Sequence, residues 1–176
     1  MAGGELTSRV DPPMIRYRRP ERGGISPTEA ALALDKKKLP ADLKADEDLA
    51  AEINVRLEED GTLTCAAAIA LAKAMNLESQ AVGLTADALR IRLSQCQLGL
   101  FGYPGRAKGW SALGEAESSV PEGFKAALLS AGPASGTLTC SEIWSTAERS
   151  GVSRMKAGFI ADKLGLRIVG CRIGAF

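Results

Sequence analysis

Four cysteines are the side chains of this 176-residue chain with the widest chemical reach, and they come as two pairs of equal spacing. Cys65 and Cys96 lie 31 residues apart, and so do Cys140 and Cys171. Thiolates bind soft metals and iron–sulfur clusters. Cys65 and Cys140 each follow a Leu-Thr pair that reads as a helix start, where free N–H groups and the helix dipole lower a thiol pKa. Against this, the spacing matches no compact metal motif, and both places suit small buried residues. Three uses stand side by side: structural burial, a thiol pair in each half, or one four-cysteine site between the halves for zinc or an iron–sulfur cluster.

The chain has no histidine. That removes Ser-His and Cys-His nucleophile pairs, His-ligated metals and His acid–base catalysis. Asp87 and Asp162 occupy matching Ala-Asp settings and read as structural hydrogen-bonding groups. No catalytic constellation is organised, so the expectation is a protein that is not an enzyme. The glycines of Gln97-Leu98-Gly99-Leu100-Phe101-Gly102 lack the Lys-Ser/Thr of a phosphate loop, and Gly99 and Gly174 instead suit a bend or a close backbone approach.

The cysteines must be placed by whatever element repeats. Residues 61–101 align without a gap to residues 136–176 at a constant offset of 75. The match keeps Gly-Thr-Leu-Thr-Cys, a central Gly, Ala-Asp, an Arg, the second Cys, a Gly and a closing Phe. Two copies of one supersecondary unit follow from it. Leu49, Ile53 and Leu57 mark an amphipathic helix from Asp46 to about Glu59, and Phe124, Ala127, Leu128 and Ala131 mark its counterpart. Within each copy, Leu63-Thr64 or Leu138-Thr139 has room for a very short strand.

The second Thr caps the next helix, and Thr139-Cys140-Ser141-Glu142 is a capping box. Asn76 and Gly151 then make a tight turn into a third helix. The copy ends in a strand, Arg90 to Phe101 or Gly165 to Phe176. Its alternation changes phase, which a bulge or tight turn at Ser94-Gln95 and Val169-Gly170 explains.

This order, together with Ala147, Gly151, Val152, Ala157 and Ile160, resembles the winged-helix and helix-turn-helix superfamily, duplicated in tandem. The first copy matches through Ala72, Asn76, Leu77, Val82 and Thr85. The resemblance implies a mainly α fold with short β-strands and two winged-helix-like units, 46–101 and 120–176, joined by a linker over 102–119 and packed about a pseudo-twofold. It implies that the third helix of each unit is a recognition helix for the major groove. In unit 2 that helix offers Ser153, Arg154, Lys156 and Lys163, with Arg167 just beyond. The corresponding Glu78, Ser79, Ala81 and Ala88 offer DNA little.

Ahead of the units, residues 1–25 read as a flexible basic arm whose Arg16, Arg18 and Arg19 suit a minor groove. Residues 26–45 hold a short helix opened by Ser26-Pro27-Thr28-Glu29, and a linker. Net charge is +1, yet residues 41–60 carry eight acidic and two basic side chains, while residues 122–176 carry seven basic and four acidic. No apolar run reaches the roughly 20 residues of a membrane span, and no signal peptide opens the chain, so the expected place is the cytoplasm. The expected function is a non-enzymatic DNA-binding protein, a transcriptional regulator working through unit 2 without a cofactor. The alternative is a protein-interaction or accessory module whose paired cysteines bind a metal or an iron–sulfur cluster.

Overall fold

The computed structural model describes residues 43–113, 121–132 and 136–176. The basic arm with Arg16, Arg18 and Arg19, and the helix expected from Ser26, lie outside the described residues.

Helix α1 (Glu47–Asn54) starts at Asp46, whose Oδ1 accepts the Leu49 N–H at 2.9 Å. It buries Leu49 and Ile53 and stops five residues before the expected Glu59. Glu58, Glu59 and Asp60 would put negative charge on the negative end of the helix dipole, which favours an early stop. Asp60 instead turns the chain, accepting both the N–H and the hydroxyl of Thr62.

Strand β1 (Leu63–Thr64) leads into α2 (Cys65–Ala74), α3 (Ser79–Ala88) and β2 (Leu93–Ser94). The second copy repeats this with α4 (Glu122–Ala131), β3 (Thr137–Thr139), α5 (Cys140–Arg149), α6 (Arg154–Lys163) and β4 (Arg167–Gly170). The start of α4 lies 75 residues after that of α1, so the leading helix belongs to the repeat. The caps and turns also repeat atom for atom. Thr64 Oγ1 accepts from Ala67 N and Thr139 Oγ1 from Glu142 N. Leu77 N donates to Ala72 O and Val152 N to Ala147 O. Asn76 and Gly151 hold φ of 53° and 63°, the left-handed region such a turn requires.

The terminal segments are shorter strands than expected. After Ser94 the chain enters a tight loop: Gln95 has φ 46°, Gln95 N donates to Gly102 O, and Gly99 N donates to Cys96 O at 2.7 Å. In the second copy the pairing jumps from Leu138–Ile168 to Thr139–Gly170, so Val169 is bulged out. Both devices sit where the alternation changes phase. The apolar pattern beyond them belongs to a loop, not a strand.

Both strand pairs, β1–β2 and β3–β4, are parallel. The fold is mainly helical with a few short strands. Its buried apolar side chains form one cluster that runs through both units, from Leu49 and Leu71 to Ile143 and Ile173. No helix among the described residues is long and apolar enough to cross a membrane.

Candidate functional site

The two units meet through their third helices. A Cβ on Gly83 of α3 would stand 1.8 Å from the Ile173 carbonyl oxygen, and one on Gly158 of α6 would stand 2.0 Å from that of Leu98. These four residues are repeat equivalents in pairs. Each unit therefore lays its post-strand loop onto the other unit's third helix, at a glycine that lets backbone touch backbone. Phe101 and Phe176, also equivalents, meet edge to face at 6.3 Å, as residues beside a twofold axis do. The expected pseudo-twofold is realised by exchanged loops.

Several residues of α6 are engaged at this junction. On α6, Gly158 is covered by Leu98, and Phe159 stacks edge to face on Trp110 at 6.0 Å. Asp162 pairs with Lys108 at 4.0 Å. Arg154 Nη1 donates to Gln97 Oε1, and Nη2 donates to Glu148 Oε1 at 2.7 Å. Its guanidinium also lies 3.7 Å from the centroid of the Trp144 ring. Of the residues expected to contact DNA, Arg154 is thus tied into the junction between units, and Ser153 caps α6 by accepting the Lys156 N–H. Lys163 and Arg167 are exposed, and Lys156 is half-buried. The segment 102–113, expected as loose linker, is part of the junction: Trp110 sits in a short 3-10 helix (Gly109–Ala112) and donates Nε1–H to Leu98 O at 2.9 Å.

The thiols lie at the same junction. All four are free; Cys65, Cys96 and Cys140 are buried and Cys171 is half-buried. Parallel pairing of β1 with β2, and of β3 with β4, returns the second cysteine of each copy beside the first. Across the units the thiols are near enough to influence one another electrostatically. Backbone N–H groups converge on the sulfurs. Gln97 donates to Cys65, Arg172 to Cys140, and Leu98 and Leu100 to Cys96. Gln97 and Arg172 are repeat equivalents, so the two halves of the centre are built alike. The side-chain amide of Gln97 adds a 3.9 Å contact to Cys65 Sγ.

Burial dominates the acidity of these thiols. It raises Cys65, pushes Cys96 up to about 11 and Cys140 up to about 12, with the N–H bonds pulling the other way. The lowered values expected at the two helix N-termini are overturned, since desolvation outweighs the dipole. Burial thus favours the protonated, weakly nucleophilic form of Cys65, Cys96 and Cys140. Among the described residues no group of three or more Cys, Asp or Glu side chains is arranged to hold a metal ion.

No protein-family model, curated protein or solved structure matches this chain. Its function is read from the centre itself.

Gln97 and Arg172, whose backbone N–H groups reach sulfur, and the buried Trp144 on α5 have no place in the expected site. Trp144 lies one turn after Cys140 on α5, is 3% exposed, and its Nε1–H has no hydrogen-bond partner. Besides Arg154, Arg172 also approaches its ring, at 5.5 Å. The sequence carries one signal toward them: Gln97 and Arg172 each directly follow a repeated cysteine, in Cys-x-x-Gly.

Proposed function

We propose that the chain is a non-enzymatic accessory module in which the four cysteines form one ligand centre between the two units. The observation that carries this is the parallel strand pairing that returns the second cysteine of each copy beside the first, with backbone N–H groups of both copies directed at sulfur. Such N–H donors stabilise thiolate and bound metal sulfur over neutral thiol. The group that fits is one that seeks sulfur, since the centre offers neither histidine nor an arranged set of carboxylates.

Anaerobic purification with elemental and thiol analysis tests the proposal. A bound thiophilic group in stoichiometric amount is the expected result. Four titratable thiols with nothing bound, before and after loading, would remove it.

DNA binding is the second reading, favoured by the exposed Lys163 and Arg167 at the outer end of α6. It requires either contact through that edge alone or separation of the units at Gly158. Anisotropy of a labelled duplex at low and physiological salt decides it: phosphate neutralisation gives binding that weakens steeply with salt, and no binding at low salt ends the reading.

A further inference from the structure

We infer that Cys140 and Cys171 form a redox couple, which closes to a disulfide by exchange with small-molecule disulfides while Cys65 and Cys96 stay reduced. The couple follows from the strand register and needs no bound group.

Parallel strands bring both cysteine pairs together, but only the second pair is brought level. With Val169 bulged out, Thr139 pairs with Gly170, and Cys140 and Cys171 are the residues that follow on either side. Neighbouring strands run about 4.8 Å apart, within the Cα separation of about 4.4–6.8 Å that a disulfide spans. Gly170 marks the close approach: a Cβ there would stand 3.4 Å from Thr139 Cγ2. The Arg172 N–H donates to the Cys140 sulfur, so that thiol lies beside the Cys171–Arg172 peptide. In the first unit Thr64 pairs with Ser94, and the residue that follows Ser94 is Gln95 rather than a cysteine. Cys96 lies one position further, past the turn that Gln95 makes at φ 46°.

Access separates the pairs too. Cys65 and Cys96 are 4% and 5% exposed, so neither presents its sulfur to a solute. Cys171 is half-buried, and Val169 and Arg172 near it are exposed. An entering disulfide therefore meets Cys171 first, and the buried Cys140 resolves the mixed disulfide.

The exchange balances in two steps. Cys171 Sγ bonds to one sulfur of the small disulfide as its S–S bond breaks, and the Cys171 proton leaves with the released thiol. Cys140 Sγ then bonds to Cys171 Sγ as the mixed disulfide breaks, and the Cys140 proton leaves with the second small thiol. The two protein thiols lose two electrons, and the small disulfide gains them. Closure takes two sulfurs out of the ligand centre proposed above, so the couple would switch that centre off. That consequence rests on the thiol-centre reading; the couple itself does not.

The test uses the full chain, reduced, stripped of metal with a chelator and held folded in oxidised glutathione. Free thiols are alkylated and counted, and peptides joined by disulfides are identified by mass spectrometry without reduction. The inference expects loss of two of the four thiols, with Cys140 joined to Cys171. Cys65→Ser should still lose two. Cys140→Ser should stop at a mixed disulfide on Cys171, with circular dichroism showing the fold kept. Four thiols still free would overturn the inference, as would a Cys65–Cys96 bond, or a bond between units or chains, in place of Cys140–Cys171. Because the count needs no metal, cobalt uptake by the reduced chain tests the thiol-centre reading separately.

Discussion

The two loops that cross the pseudo-dyad begin alike and end differently. Both place a carbonyl, Leu98 or Ile173, against a helical glycine of the opposite unit. Beyond that point the first continues through Tyr103 and Trp110 and covers Phe159 and Asp162 of α6. On α3 of the other unit, Leu84 is 38% exposed. Duplication has preserved the backbone contact, whose geometry admits no substitute, and left the surrounding side chains free to diverge. The same contrast marks the helix starts: Thr139 has Glu142 to close its capping box, while Thr64 has Ala67 in that place.

The most severe way to break this comparison is to fill the shared contact. Gly83→Ala and Gly158→Ala each place a methyl group inside a backbone carbonyl, so both should destabilise the chain by about 3 kcal/mol despite alanine's better helix propensity. Urea unfolding of the pair checks it. Tolerance at one position would mean that only one loop is firmly docked.

Trp110→Ala probes the extra arm of the first loop. It deletes the hydrogen bond to Leu98 and the stack on Phe159, and for a half-buried aromatic a loss of about 2 kcal/mol follows. Because Trp110 packs on Phe159 of α6, the change should open α6 more than α3; hydrogen exchange along 154–163 and 79–88 shows whether it does.

Smaller effects should separate the caps. Thr139→Ala and Thr64→Ala each remove an N-cap acceptor at a cost of about 1 kcal/mol, the former somewhat more because Glu142 also loses its partner. Hydrogen bonds from the Thr139 backbone and hydroxyl hold Glu142 below its ordinary carboxylate range. A depressed carboxylate pKa contributes stability that is present above the unfolded value and lost as pH falls through the folded one. Acid should therefore fray the start of α5 before that of α2. A pH series of amide exchange at Ser141 and Ala66 reads the difference, and equal fraying would contradict it.

Much of the helical framework was legible in the residues. The 75-residue offset, the Thr caps and the Asn76 and Gly151 turns are local signals with local causes, and each has its counterpart in the fold. The phase change at Ser94-Gln95 was visible too, but not its meaning. Beyond Gln95 the alternation comes from side chains buried alternately by a tight loop, which period alone cannot distinguish from a strand. Arg154 misled for a related reason. On an isolated helix it is a free cation, whereas its partners Gln97, Glu148 and Trp144 arrive from other elements. Contacts between repeats leave no periodic trace, and the centre is made of such contacts.

That the two halves share one centre is tested most directly by cutting each half separately. Cys96→Ser and Cys171→Ser are purified anaerobically, titrated with Co2+ beside the parent chain, and their bound cobalt measured. A single centre across the pseudo-dyad predicts that either substitution alone abolishes the whole bound group. Retention of half the cobalt in each variant would instead show two independent sites, one per unit, and would contradict the account.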